Sequence, residues 1–142
     1  MQHDVIKLTS DLIRIKSVSR WSNRPIADYL EKILQAMGCT IERSEVLDDN
    51  GEYKVNLIGK LGSGTGGLAF CSHMDTVPGQ EQDWEAFEPT VRAGKLYGRG
   101  SCDMKGPIAA TLIAAASVDV AKLKKPLYII LTADEEVGLL GA

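Results

Sequence analysis

Apolar residues recur at helical spacing twice near the start of the chain. They stand at positions 5, 8, 12 and 15 within residues 5–15, and they recur more strictly over residues 26–37. Because positions three and four apart share one face of a helix, each stretch predicts an amphipathic helix. Gly38 is expected to end the second helix, since glycine readily adopts the left-handed backbone found after a helix C-terminus.

The next part of the chain has the pattern of β-strands. Residues 39–47 weakly predict a strand, residues 48–51 (DDNG) form a turn signal, and apolar and polar residues alternate over residues 53–57. This arrangement predicts a hairpin whose second strand is half-buried and near a sheet edge. A flexible turn is expected at residues 62–67 (GSGTGG).

Two short apolar runs enclose a third predicted helix. Residues 68–71 and the stronger run 127–131 both predict strands buried on two faces. Between them, residues 107–118 are small and almost wholly apolar, as expected of a helix packed tightly against a sheet. Two helices, a hairpin and a strand–helix–strand unit together predict an α/β fold with three layers (α/β/α) and a mixed sheet.

Composition narrows the class of protein. The chain has 142 residues, 44% of them hydrophobic, which predicts a soluble globular chain of one domain, with or without part of another. Sixteen Lys and Arg residues against nineteen Asp and Glu residues give a net charge of −3, so no nucleic-acid partner is expected. Neither a secretory signal nor an apolar run of membrane-spanning length is found, so we expect no membrane partner and a cytoplasmic location. The cysteines Cys39, Cys71 and Cys102 are expected to be free thiols.

Candidate chemistry begins directly after the first apolar run, where open α/β sheets place their ligand crevices. His73 and Asp75 lie two residues apart and therefore on one side of an extended chain. This spacing suits a metal-bound imidazole whose other ring nitrogen donates to a carboxylate. The alternative is an ordinary histidine that is hydrogen-bonded at the end of a strand.

A second candidate segment, residues 98–106 (GRGSCDMKG), precedes the third helix. It is not a dinucleotide-binding loop, because Asp103 stands where that motif requires glycine, and residues 62–67 do not continue into a phosphate-binding loop. Asp103 is either the N-cap of the helix or a carboxylate that bridges two metal ions, helped to stay ionised by the helix N-terminus.

The third segment, residues 132–138 (TADEEVG), follows the stronger apolar run. Its three consecutive acidic residues repel one another, and a cation would offset that repulsion. The alternative is a solvated acidic loop. Two adjacent glutamates can also divide the work of a metal site, one binding the ion and the other serving as a general base.

Taken in this order, 30 and 33 residues apart, the three motifs resemble those of the dinuclear-zinc family of aminoacylases, acetylornithine deacetylases, succinyl-diaminopimelate desuccinylases and glutamate carboxypeptidases. The resemblance implies a zinc-exopeptidase-like catalytic domain with two divalent metal ions, Zn²⁺ or else Co²⁺ or Mn²⁺. It implies that His73 and Glu136 bind different metals, that Asp103 bridges them and that Asp75 stands behind His73. Glu135 is then the general base.

The activity implied by the resemblance is hydrolysis of the amide bond of an N-acyl amino acid by a metal-activated water, as in acetylornithine deacetylase. A dipeptidase or carboxypeptidase of the same family is the alternative, and an inactive truncated α/β binding module is a third hypothesis. The substrate would be a small molecule, and the full-length parent could form a homodimer. The resemblance also implies a cis peptide bond between Asp103 and Met104.

The resemblance further predicts the domain organisation. Residues 1–142 are expected to be the N-terminal portion of the catalytic domain, without the lid and dimerisation domain and without the C-terminal part of the catalytic domain. One further acidic ligand and one further histidine are expected from those missing parts. The chain alone is therefore expected to be inactive.

Overall fold

The structure is a computed structural model that describes residues 4–79 and 84–141. The described residues form three α-helices and six strands. In chain order these are α1 (Val5–Arg14), α2 (Arg24–Ala36), β1 (Thr40–Leu47), β2 (Tyr53–Leu61), β3 (Leu68–His73), β4 (Thr90–Arg92), β5 (Lys95–Tyr97), α3 (Lys105–Ala116) and β6 (Leu127–Thr132). Short 3-10 turns lie at Val120–Lys122 and Glu135–Val137.

Helices α1 and α2 match the two predicted amphipathic segments. The carboxylate of Asp4 caps α1 by accepting a hydrogen bond from the backbone N–H of Lys7 at 3.0 Å. Gly38 follows α2 with φ +82°, the left-handed conformation that its position predicted. Local signals therefore account for the apolar faces of both helices, for the start of α1 and for the end of α2.

Four strands form a mixed sheet in the order β1–β2–β6–β3. β1 and β2 are antiparallel, which confirms the predicted hairpin, and β2 lies second from the sheet edge. β6 runs antiparallel to β2, with Leu131 opposite Leu57, and parallel to β3, with Ile129 beside Phe70. β4 and β5 form a separate antiparallel ribbon that the sequence pattern did not predict.

One face of the sheet packs against the helices. α1, α2 and α3 share a single apolar core with β2 and β6, and its fully buried members include Leu12, Leu30, Leu112 and Leu131. On the opposite face Ile58 and Ile130 are only partly buried. The described residues thus form the sheet and one helical layer of the predicted three-layer arrangement.

For residues 127–131 the predicted burial on two faces holds on one face only, because Ile129 and Leu131 are buried while Tyr128 and Ile130 are partly buried. The prediction that residues 68–71 are buried on two faces is wrong. The strand forms, but Leu68 is 53% exposed and Phe70 is 37% exposed. In the described part of the chain β3 lies at the sheet edge and pairs with β6 alone, so its outer side has no neighbouring strand. An apolar run therefore predicted the strand correctly but not its place in the sheet.

Two further predictions concern the cysteines and the lipid bilayer. Cys39, Cys71 and Cys102 are all free thiols, as predicted. None of the helices within residues 4–79 and 84–141 has both the length and the apolar character needed to cross a bilayer.

Candidate metal centre

The parallel pairing of β3 and β6 brings the chemically interesting residues to one edge of the sheet. His73, the last residue of β3, lies beside Thr132, the last residue of β6. Asp103 reaches this edge from the turn before α3, and Glu135 and Glu136 reach it from the 3-10 turn after β6. The predicted convergence of the three motifs is therefore observed, whereas the roles of the residues as ligands and base stay predictions.

The His73 ring is oriented toward the acidic residues. Its Nε2 atom lies 3.0 Å from Oδ1 of Asp103 and 3.8 Å from Oε2 of Glu135. A ring nitrogen of His73 and one carboxylate oxygen each from Glu135 and Glu136 all lie within 4.8 Å of one another. On the other side of the ring, Nδ1 lies 3.0 Å from the backbone carbonyl oxygen of Asp75. A ring whose Nδ1–H donates to that carbonyl presents its Nε2 to a metal ion.

The carboxylate of Asp75 connects the end of β3 to the acidic turn. It is 2% exposed and accepts hydrogen bonds from the Ser19 hydroxyl at 2.7 Å and from the backbone N–H groups of Glu135 and Glu136 at 3.0 and 3.2 Å. Its Oδ1 atom is 3.4 Å from Nδ1 of His73. Burial by itself would raise the pKa of Asp75, but the hydrogen bonds from His73, Ser19 and the two amides lower it to about 2. Asp75 therefore supports the acidic turn as well as the histidine.

Asp103 does not serve as a helix cap. The N-cap of α3 is Met104, and no side chain caps this helix, while the 72% exposed carboxylate of Asp103 contacts His73. The Asp103–Met104 peptide bond is cis, as the resemblance implied. The turn is compact, because a Cβ added to Gly106 would lie 2.2 Å from the carbonyl oxygen of Ser101. Of the two roles considered for Asp103, the cap is excluded.

The electrostatics of the site favour a cation. The hydrogen bond with Asp75, followed by the one with Asp103, outweighs the effect of burial and raises the pKa of His73 to about 9. Burial and the neighbouring charge of Asp103 raise the pKa of Glu136. Without a metal, a proton on His73 thus supplies positive charge among the carboxylates. One imidazole and several carboxylates are donors that Zn²⁺, Co²⁺ and Mn²⁺ accept, so the residues fit a divalent ion.

Sequence reasoning missed the polar residues that support this site. Lys54 is buried, with Nζ 2.9 Å from Oδ2 of Asp134 and 2.7 Å from the carbonyl oxygen of Trp21. Ser19, in the connection between α1 and α2, donates to Asp75. These contacts join residues that are 33 to 80 positions apart, so no local pattern could indicate them.

The sequence matches a known family over the part that contains the site. The model of the peptidase family M20/M25/M40 matches residues 69–142, slightly more than half of the chain. This range includes His73, Asp103, Glu135 and Glu136, so the match covers all three motifs.

Relatives with substantial identity are acetylornithine deacetylases. The chain is 44% identical to the enzyme of Myxococcus xanthus over 94% of its own length, which is 35% of that relative. It is 41% identical to the enzyme of Proteus mirabilis, with 96% of this chain and 37% of the relative covered. The chain thus spans only about a third of the length of these relatives.

Solved structures share the fold. Human carnosine dipeptidase 1 superposes with a TM-score of 0.80 at 22% identity, over 94% of this chain and 32% of that structure. The dipeptidase Dug1p of Saccharomyces cerevisiae superposes with a TM-score of 0.77 at 18% identity, with the same coverage of 94% and 32%. The predicted α/β fold with a mixed sheet is therefore confirmed.

Proposed function

Because the chain belongs to peptidase family M20/M25/M40, we propose that residues 1–142 are the N-terminal portion of the catalytic domain of a metal-dependent amide hydrolase. The observation that carries this proposal is the convergence of an oriented histidine and several carboxylates at one sheet edge. His73, Asp103 and Glu135 come from three separate segments. The Nε2 atom of His73 lies 3.0 Å from Oδ1 of Asp103 and 3.8 Å from Oε2 of Glu135. The parent enzyme, of which this chain would be one part, would hydrolyse the amide bond of a small N-acyl amino acid.

The proposed ligands come from all three motifs. His73 and Glu136 would each bind one of two divalent ions, Zn²⁺ by preference and otherwise Co²⁺ or Mn²⁺, and Asp103 would be shared between the ions. Asp103 suits the shared position because its carboxylate is exposed and touches the His73 ring. Bound ions would supply Lewis acidity, which makes water more acidic and polarises the amide carbonyl.

Glu135 is the proposed general base. Its backbone N–H is fixed by Asp75, while its side chain is 37% exposed and can meet both a water molecule and a substrate. Glu135 would accept a proton from water as the oxygen attacks the amide carbon, and it would then donate that proton to the leaving amine. Asp75 would keep the His73 ring and the Glu135 backbone in place during both steps.

An N-acyl amino acid is favoured over a dipeptide as the substrate. The relatives that are 41 to 44% identical to this chain are acetylornithine deacetylases, whereas the dipeptidases share its fold at 18 to 22% identity. Identity of 41 to 44% over nearly the whole chain, which includes the motifs, supports similar chemistry, while the shared fold alone does not define a substrate.

Metal binding can be tested directly on the 142-residue chain. We expect Co²⁺ titration to produce visible absorption bands with saturable binding, and we expect His73→Ala to abolish them. Lys60→Met is a matched control, because Lys60 lies in the same sheet and its Nζ donates to the carbonyl oxygen of Gly64 instead of contacting the site. Bands of equal intensity in the His73→Ala variant would contradict the proposed site.

The reaction can be tested in a chimera. Here the matching segment of the Myxococcus xanthus acetylornithine deacetylase is replaced by this chain, which is 44% identical to it. We expect the chimera to hydrolyse N-acetylornithine when loaded with Zn²⁺ or Co²⁺ and to lose that activity with His73→Ala. A chimera that is folded and metal-loaded yet cleaves a dipeptide in preference to N-acetylornithine would support the dipeptidase alternative, and one that cleaves neither would support a binding module.

A further inference from the structure

Lys54 and Asp134 form a buried ion pair, and Asp134 directly precedes the two glutamates of the site in the sequence. Lys54 of β2 is 7% exposed and Asp134 is 6% exposed. The Nζ atom of Lys54 lies 2.9 Å from Oδ2 and 3.1 Å from Oδ1 of Asp134. Neither residue belongs to the proposed ligand set, and neither takes part in the proposed proton transfers.

The connection between α1 and α2 completes the surroundings of this pair. The backbone N–H of Arg20 donates to Oδ1 of Asp134 at 3.0 Å, and Lys54 donates to the carbonyl oxygen of Trp21 at 2.7 Å. Asp134 thus receives donors from β2 and from the α1–α2 connection. Its carboxylate is bound to two parts of the fold that lie far from it in the sequence.

Asp134 also determines how the chain enters the acidic turn. Its backbone is left-handed, with φ +49° and ψ 39°, a conformation that is uncommon for residues other than glycine. The next two residues, Glu135 and Glu136, direct their N–H groups to the Asp75 carboxylate. A change in the backbone at Asp134 would rotate both glutamates relative to Asp75, so the contacts of Asp134 bear directly on their positions.

Stability alone is a weak reason for such a pair. Removing two charges from water carries a penalty that can equal or exceed their mutual attraction, so a buried ion pair is often replaceable by apolar residues without loss of stability. What the pair does provide is a fixed geometry and a positive charge beside three consecutive acidic residues. The sequence pattern predicted that a cation would offset the repulsion among these acidic residues, and the ammonium group of Lys54 offsets part of it.

We propose that Lys54 is a positioning residue that acts through Asp134 to hold Glu135 and Glu136 in the arrangement seen in the site. This inference rests on the proposed function for its relevance to catalysis, but the positioning itself is a property of the metal-free chain. It can therefore be tested without any metal ion and without any activity measurement.

Amide hydrogen exchange, measured by NMR on the metal-free 142-residue chain, gives the test. Lys54→Met removes the charge and keeps most of the side-chain volume, Lys54→Arg retains the charge, and Asp134→Asn removes the opposite charge. Lys60→Met is the matched control, because Lys60 is on the same strand and the same face as Lys54 but donates to Gly64. The amides of β6 report on the integrity of the sheet.

We expect Lys54→Met to lower the exchange protection of the Glu135 and Glu136 amides by about tenfold or more while β6 changes by less than about threefold. Asp134→Asn should act in the same direction, and Lys54→Arg should restore most of the protection. Lys60→Met should leave both regions unchanged. If Lys54→Met proves unable to fold, Asp134→Asn supplies the same comparison.

Two results would overturn the inference. Protection of Glu135 and Glu136 within about twofold of wild type in both Lys54→Met and Asp134→Asn would show that Asp75 alone holds the turn. An equal loss of protection at β6 and at the two glutamates would show a purely structural pair. Absence of Co²⁺ binding by both the wild-type chain and the chimera would instead refute the proposed metal site, and the exchange data would still decide the positioning role.

Discussion

The Oδ1 atom of Asp75 accepts a hydrogen bond from the backbone N–H of Glu135 at 3.0 Å, although 60 positions separate the two residues. Asp75 follows β3 and Glu135 follows β6, so this bond fixes the ends of two neighbouring strands relative to each other. The second carboxylate oxygen does the same for the N–H of Glu136 at 3.2 Å. A side chain predicted only to orient a histidine therefore also shapes the acidic turn.

Asp75→Asn tests this double role. The asparagine side chain has one acceptor oxygen where the carboxylate has two, and its amide group would face a backbone N–H. A buried donor left without a partner costs about 1–3 kcal/mol, so we expect urea unfolding to show a loss of about 2 kcal/mol. We also expect Co²⁺ affinity to fall about 10- to 100-fold, as when other residues behind a metal ligand are changed. Asp119→Asn, the same replacement at an exposed site, should change neither quantity, and equal effects of the two variants would contradict the prediction.

The parts of the fold that were predictable from sequence are those with local signals. The spacing of apolar residues over residues 26–37 predicts the second helix, and the turn signal at residues 48–51 predicts the position of the hairpin. By contrast, the apolar run at residues 68–71 predicts a strand but cannot state how many neighbours that strand has. Its exposed edge position is set by pairing with β6, about 60 residues later, and so lies beyond any local pattern.

The candidate site divides in the same way. His73, Asp103 and Glu135 were recognisable because each lies in a short motif with characteristic neighbours. Lys54 and Ser19 were not recognisable, because neither lies in such a motif. Their link to the site comes only from contacts that form on folding, with Asp134 and Asp75 respectively. The residues proposed to contact a metal or a substrate are thus easier to recognise in a single sequence than the residues that contact them from elsewhere in the fold.

The metal-free chain should lose stability between about pH 6.5 and 9 through His73. The pKa of this residue rises from 6.5 to about 9 on folding, so the folded state binds the proton more tightly than the unfolded state. The resulting stabilisation is complete below pH 6.5 and is lost as the pH passes through about 9. Lys105 acts in the opposite direction, because burial lowers its pKa to about 7.

The measured quantity is therefore the difference in unfolding free energy between wild type and His73→Gln, followed by urea titration in the presence of a chelator. Lys105 is common to both proteins, so its contribution cancels. We expect the difference to decline steadily as the pH is raised from 6.5 to 9. A difference that is constant over this range would show that folding does not raise the pKa of His73.

Glu135→Gln should separate catalysis from metal binding. Glutamine keeps the size of the side chain and the backbone hydrogen bond to Asp75, but it cannot accept a proton from water. In the chimera with the Myxococcus xanthus enzyme, we expect the rate of N-acetylornithine hydrolysis to fall by about 10²- to 10⁴-fold, the usual contribution of a general base. Metal content, measured by atomic emission, should not change. Loss of metal in parallel with activity would instead identify Glu135 as a ligand.

Gly106→Ala tests whether the compact turn before α3 is needed for the site. Alanine favours an α-helix over glycine by about 1 kcal/mol, so helix propensity alone predicts stabilisation at this second residue of α3. The structure predicts the opposite, because the new Cβ would lie 2.2 Å from the carbonyl oxygen of Ser101, a backbone atom that cannot move without displacing the turn that carries Asp103. We expect Gly106→Ala to lower the midpoint of urea unfolding and to weaken Co²⁺ binding.

Ala110→Gly, at an exposed position of the same helix, is the control. It measures the effect of helix propensity alone on stability, and it should leave Co²⁺ affinity unchanged. A Gly106→Ala chain that is more stable than wild type and binds Co²⁺ equally well would show that the close approach of Gly106 to Ser101 is not required.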